Sequence, residues 1–215
     1  MVKYFHFHYT DDLGITHKFD EKLVSKQCNH IIPNKARCLN HCEIGLDLCW
    51  IHLETIKNLK IQDSKYLRSL RPRNKGKGQG LYAFTRKKKK TQQIFKKKDV
   101  ICNYNGEFID KDELDRRYGE HTGPYGITIS TSGGLYEDAA IERGVGAMIN
   151  HSNSTRRINC HLVKRRDRTL GRDRVSIVAT KNINNGSELI TTYGDNYRFD
   201  ENVQTSTNSR KKIST

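Results

Sequence analysis

Three cysteines and a histidine, Cys28, Cys38, Cys49 and His52, follow one another in the pattern C-x9-C-x10-C-x2-H. Cys49 and His52 are three residues apart on an expected helix, so they project from one face and can bind one ion. Thiolate and imidazole in a tetrahedral set suit Zn2+, and four such ligands make a closed structural site. A segment this short cannot build an apolar core, and a metal replaces one. His30, His41 and Cys42 lie beside the set, and each can stand in for a ligand. Six cysteines, four of them between residues 28 and 49, speak for metal binding in a reducing compartment rather than a disulfide framework.

A second group of chemistry-bearing residues is spread along the rest of the chain. Gly76-Lys77-Gly78-Gln79-Gly80-Leu81-Tyr82-Ala83 is a glycine-rich loop running into a strand, and glycines let a main chain approach a ligand closely. Tyr104-Asn105-Gly106-Glu107 follows, then Asn150-His151-Ser152 with Asn159-Cys160, then Glu188-Leu189 with Tyr193-Gly194. Asn amides and Tyr hydroxyls can bind and orient polar ligands. Each motif alone is ordinary; the information lies in their joint order.

In that order they resemble the SET-domain protein lysine methyltransferases, over roughly residues 65–198. Asp138-Ala139 sits where that family often has Asp-Ala ahead of its Asn-His-Ser core. The resemblance implies a mainly β fold of small curved sheets, with the C-terminal segment passing beneath a loop as a pseudoknot. It implies a cofactor, S-adenosylmethionine, entering from one face, and a target lysine entering by a channel from the other. It also implies roles. Tyr193 is the expected catalytic hydroxyl and Tyr104 a second channel wall. Lys77, Gly78, Gly80, Tyr125, Asn150 and His151 are the expected cofactor contacts. Lys77 lies near the cofactor carboxylate, Asn150 binds its amino-acid end, and His151 serves through its backbone with its ring buried.

Those residue types suit the reaction. A sulfonium methyl must be taken by a neutral amine. A free lysine has a pKa of about 10.4, so near pH 7 roughly one in 2,500 is neutral, a cost of about 4.6 kcal/mol. An apolar channel and a nearby sulfonium both disfavour the ammonium, so no dedicated base is required. A tyrosine contributes an apolar wall and a hydroxyl that orients the amine lone pair.

The chain departs from the family pattern in informative places. Many members bind zinc through three cysteines after the catalytic tyrosine and one after Asn-His-Ser; here that last position is Asn153, and no Cys follows Tyr193. Tyr197 and Phe199 are the expected lids instead. Thr191 stands two before Tyr193, where the family often has an aromatic, and its small size favours multiple methylation. Arg86-Lys87-Lys88-Lys89-Lys90-Thr91 reads as an insertion. With Lys96 to Lys98 and Lys164 to Arg166 it makes a basic surface suited to DNA contact or nuclear targeting.

These groups need elements to position them. Tyr4 to Tyr9 and Ile15 to Phe19 read as a hairpin around Asp11-Asp12-Leu13-Gly14. Leu46 to Leu59 reads as a helix capped by Asp47, and residues 111–118 as a short helix opened by an Asp110/Glu113 capping box. Arg71 to Gly80 reads as a linker. Strand signals cover Asp99 to Ile109, Tyr125 to Ser130, Arg174 to Thr180 and Glu188 to Tyr193. The expected organisation is a hairpin and zinc module over 1–62, a SET methyltransferase domain over 65–198 and a polar basic tail over 199–215.

The chain has 215 residues, 39 Lys and Arg against 24 Asp and Glu, and a net charge of +15. Such a charge calls for a polyanionic partner. No apolar run reaches the ~18 residues of a membrane helix, and no secretory leader is expected. The nucleus, or another reducing intracellular compartment, is the expected location. High Lys, Asn and Ile content suggests an AT-rich genome, such as that of a large DNA virus, which places the protein in a host cell, or a protist. A +15 protein repels a basic histone tail, which the acids from Glu107 to Glu120 could counter. The expected activity is lysine methylation on a histone or chromatin protein. The alternative is a non-catalytic zinc-containing chromatin or nucleic-acid binding module with a degenerate SET domain.

Overall fold

A computed structural model describes residues 2–10 and 16–24 as backbone, and 26–42, 46–65, 79–86, 89, 91–119, 123, 125–130 and 134–194 in full. The strands are β1 (Val2–Thr10), β2 (Thr16–Val24), β3 (Leu59–Asp63), β4 (Gln79–Ala83), β5 (Gln93–Phe95), β6 (Val100–Asn103), β7 (Glu107–Asp110) and β8 (Gly126–Thr128). They continue as β9 (Leu135–Asp138), β10 (Asn150–His151), β11 (Cys160–Asp167), β12 (Arg172–Ala179), β13 (Ile183–Asn184), β14 (Ser187–Glu188) and β15 (Ile190–Thr191). Two helices, α1 (Trp50–Lys57) and α2 (Lys111–Tyr118), and a 3-10 turn over Val145–Met148 complete the description.

The strands form six small sheets, none wider than three strands among the described residues. The architecture is mainly β. Buried Leu59, Leu81, Ile149, Ile177 and Leu189 supply the common core. No described helix is long and apolar enough to cross a membrane.

The N-terminal hairpin pairs Val2 with Val24 through Thr10 with Thr16, so its second strand runs past the expected end at Phe19. The first helix is shorter than its hydrophobic spacing suggests. Asp47 does not cap it; the Asp47 carbonyl accepts from Asn29 N–H (2.9 Å). The cap position is Cys49, whose N–H donates to Cys28 Sγ (3.3 Å). At the other end Asn58 turns left-handed (φ 55°), and Leu59 opens β3. The expected linker falls mostly on residues 66–78, outside the described set, but its last residue, Gly80, lies inside β4.

The long apolar run breaks at Asn105-Gly106 as its turn signal predicts. Asn105 adopts φ 59°, and a Cβ on Gly106 would lie 2.5 Å from the Asp138 carbonyl. The second helix forms where expected, but only half of its capping box does. Asp110 accepts from Glu113 N–H (2.8 Å), while the Glu113 carboxylate turns to Arg116 and Arg117.

Arg117 anchors a buried ion cluster. It donates to Glu107 (2.7 Å), Glu113 (2.7 Å) and fully buried Asp138 (2.8 Å). Tyr118 Oη donates to Asp138 as well (2.9 Å). Within the acidic segment that could draw a basic peptide, Lys111 pairs Asp115, and Arg116 and Arg117 pair Glu113, so part of its charge is answered from within. Removing the cation should be costly, because the acids stay behind in low dielectric. Arg117→Ala is expected to lose about 3–5 kcal/mol in urea unfolding. Glu113, whose carboxyl is brought down to about 2 chiefly by hydrogen bonds from Arg116, contributes stability above its ordinary range. That contribution should fade as pH falls from about 4.5 toward 2, which an acid titration of the unfolding midpoint checks.

Candidate functional site

Tyr193 and the Asn-His-Ser segment lie more than 40 positions apart, yet β10 and β15 pair in parallel, Asn150 with Ile190 and His151 with Thr191. Glu188 to Tyr193, expected as one strand, divides here. β14 belongs with β4, β15 with β10, and the chain changes sheets at Leu189. Asn159 makes the change possible. Its Nδ2 donates to the Glu188 carbonyl (2.7 Å), its Oδ1 accepts from Ile190 N–H (2.9 Å), and its own N–H reaches the Ile190 carbonyl (3.0 Å). One buried side chain thus satisfies the backbone where no strand can.

This threading sets Tyr193 against the Asn-His core. Tyr193 Oη donates to the Ile149 carbonyl (2.6 Å). Its backbone N–H donates to His151 Nδ1 (3.0 Å). With Nδ1 accepting, His151 carries its proton on Nε2, which donates to Asn153 Oδ1 (2.6 Å). The expectation of a merely buried ring is corrected: His151 is half-buried, and its ring ties Tyr193 to Asn153. Tyr104 is buried, with its hydroxyl donating to the Tyr125 carbonyl (3.0 Å). Burial, and next the proximity of Tyr193, hold its phenol well above the ordinary value. The Tyr125 ring lies 4.1 Å beneath the Arg143 guanidinium. Thr191 is fully buried.

Asn150 Nδ2 donates to the Gln79 carbonyl (3.0 Å) and to Glu188 Oε1 (2.9 Å). Both amide hydrogens are spent, which leaves Oδ1 as the group it can offer. Glu188 is the residue that the sequence motifs undersold. Its buried carboxylate also receives Ser64 Oγ (2.7 Å) and Lys65 N–H (2.9 Å), and lies 2.9 Å from Tyr82 Oη. Tyr82 is pushed up to about 12 by burial and by that carboxylate. A lone Glu directly ahead of Leu189-Ile190 was the available signal, since a carboxylate drawn into the core with them must be fully satisfied. Gly80 faces this pair: a Cβ there would collide with Glu188 Oε1 and lie 2.8 Å from Asn150 Nδ2. Its smallness serves the Glu188–Asn150 contact. Lys77, Gly78, Tyr197 and Phe199 lie outside the described residues.

The ligand atoms of Cys28, Cys38, Cys49 and His52 all lie within 4.8 Å of one another. His52 Nδ1 is 3.3 Å from both Cys28 Sγ and Cys49 Sγ. A zinc tetrahedron with 2.3 Å bonds to sulfur has edges of about 3.8 Å, so the donor set fits the ion. Burial raises the Cys28 thiol, but the Cys49 and His30 backbone N–H groups and the His52 ring outweigh it and bring it down to about 6. That favours the thiolate a metal needs. His30, His41 and Cys42 stand outside that group of four donors. Cys42 is pushed up to about 12 by burial and then by Cys28. His30 stacks on His52 at 4.0 Å, and His41 bridges Gln27 through its backbone.

Two outcomes check this geometry. Elemental analysis of the purified chain should find one zinc, and Cys38→Ser should lose it together with thermal stability. Gly80→Ala should cost about 1–3 kcal/mol in chemical unfolding, the usual range for forcing a methyl into a filled space.

Residues 90–194 match the SET domain family model. No protein with a curated description matches the chain. Among solved structures, it is similar to an active polycomb repressive complex 2 in the stimulated state, at 25% identity and TM-score 0.48, covering 64% of this chain and 15% of that one. It is also similar to the Chaetomium thermophilum polycomb repressive complex 2, at 24% identity and TM-score 0.46, covering 64% and 15%. A ctPRC2 structure in an autoinhibited conformation bound to S-adenosylmethionine matches at 24% identity and TM-score 0.48, covering 69% and 16%. This chain therefore spans about one sixth of those it resembles. With the Asn-His-Ser segment and Tyr193 inside the matched region, residues 90–194 are a SET domain.

Proposed function

We propose that this chain is a protein lysine methyltransferase that uses S-adenosylmethionine and acts on a histone or another chromatin protein, with a structural zinc in its N-terminal module. The observation that carries the reading is the parallel pairing of residues 150–151 with 190–191, which brings Tyr193 against the Ile149-to-His151 segment. When bound, S-adenosylmethionine supplies an electrophilic methyl on a sulfonium. Everything else falls to the protein.

Asn150, with both amide hydrogens engaged, offers only an acceptor, which suits the ammonium of an amino acid. Tyr193, with its hydroxyl hydrogen given to Ile149, offers oxygen lone pairs to a lysine N–H. An amine held that way directs its own lone pair elsewhere, toward an in-line electrophile. The Tyr104 phenol, pushed up by burial, stays neutral and serves as wall rather than base. A nuclear location, in the host if the source is viral, and a nucleosomal substrate follow from the same reading. The net charge of +15 repels a free histone tail, but not one presented on DNA.

Tyr193→Phe should lower methyl transfer to mixed histones by about 100-fold or more, the scale of a lost positioning contact. Its equilibrium binding of S-adenosylmethionine should stay close to wild type. If the wild-type chain binds the cofactor and transfers nothing, the reading gives way to a non-catalytic chromatin-binding module.

A further inference from the structure

One end of the β11–β12–β6 sheet gathers cations from three separate stretches of sequence. Lys98 N–H donates to the Ala179 carbonyl (2.8 Å), and Lys97 N–H to Asn182 Oδ1 (2.9 Å). Lys181 Nζ donates to the Arg156 carbonyl (2.9 Å). Lys97, Lys98, Arg156 and Lys181 are thus neighbours, and all four are exposed. From this end β11 leaves as the edge strand of its sheet and carries exposed Lys164 and Arg165 outward. The five residue steps from Cys160 to Arg165, at about 3.3 Å each, make a track of about 17 Å.

The acids on the way are already engaged. Asp99 accepts from Lys96 N–H (2.7 Å), Asp167 pairs with Arg174 (3.2 Å), and Asp173 pairs with Arg166 (3.8 Å). The exposed apolar side chains of β11 and its turn, Val163 and Leu170, are aliphatic. The one exposed ring on β11 is His161, and no Phe, Tyr or Trp on that strand offers the successive platforms that single-strand binding requires.

We infer that this track, from the sheet end at Lys97 and Lys181 along β11 to Arg165, docks on the phosphate backbone of duplex DNA. It rests on the chromatin reading above and names the surface that would serve it. Alternating side chains on an edge strand reach both faces, so Lys164 and Arg165 can straddle a phosphate row. Lysine and arginine contacts to phosphate carry no sequence information, so the contact is independent of sequence and steeply dependent on salt.

The test uses the full chain and a labelled duplex of about three helical turns (~30 base pairs), with anisotropy read between about 50 and 200 mM salt. K97Q/R165Q/K181Q is compared with K35Q/K57Q/K111Q, which removes the same charge from exposed sites elsewhere. The track variant should bind about 10-fold or more weakly, with a salt slope reduced by close to 0.9 per lost contact. The control should stay within about twofold. A second pair, K164Q/R165Q, should move in the same direction with Lys181 left in place. Equal loss in track and control variants, no loss in the track variants, or tighter binding of a single strand of the same length overturns the inference. Methylation of a free histone peptide, run in parallel, separates the two ideas. Duplex binding without any transfer sinks the enzyme and leaves the track; transfer without duplex binding does the reverse.

Discussion

A pairing of two residues with two residues holds the chemistry of this protein together. β10 and β15 share too few hydrogen bonds to be stable alone, so they persist because their surroundings leave no alternative. Asn159 completes the backbone on one side of the crossing segment, Glu188 gathers side chains on the other, and Leu189 sits at zero exposure between them. Tyr193 follows two residues after the last paired position, so its placement is inherited from this crossing. The reading of the site as catalytic depends on it.

The carboxylate of Glu188 shows how such a crossing can be made from polar parts. A buried charge is tolerated where hydrogen bonds replace the water it has lost, and this one draws on Ser64, Lys65 and Asn150, which come from two distant places in the chain. The same bonds orient the Asn150 amide. Packing, electrostatics and ligand preference therefore meet in a single group. Gly80, whose sequence context suggested approach to a cofactor, proves to leave room for that group.

Much of this was legible in the sequence, and the limits have physical causes. The clustering of Cys28, Cys38, Cys49 and His52 could be read because their types and spacing are restrictive. α2 could be read because Asp110 and the periodicity agree. The mainly β SET architecture followed from motif order rather than from any local pattern, since threading of one segment past another is rare and leaves no periodic trace. β11 went unread because an edge strand rich in Lys and Arg shows no alternation. α1 was drawn too long because hydrophobic spacing is blind to a sulfur that takes the capping N–H, as Cys28 does. Asn153 and His151 were named as a missing ligand and a buried ring; only the folded chain joins them into a hydrogen-bonded support.

That support is made of nitrogen and oxygen. Where many relatives by resemblance lean on a second metal, this chain braces Tyr193 with an imidazole and an amide. Cys160, whose Sγ donates to the Ile190 carbonyl, is sealed in the core, its acidity suppressed by burial. Chelation or thiol oxidation at the proposed zinc site would therefore strike the Cys28-to-His52 cluster and leave the imidazole–amide brace of Tyr193 in place, so the two ends of the molecule carry unequal chemical vulnerabilities.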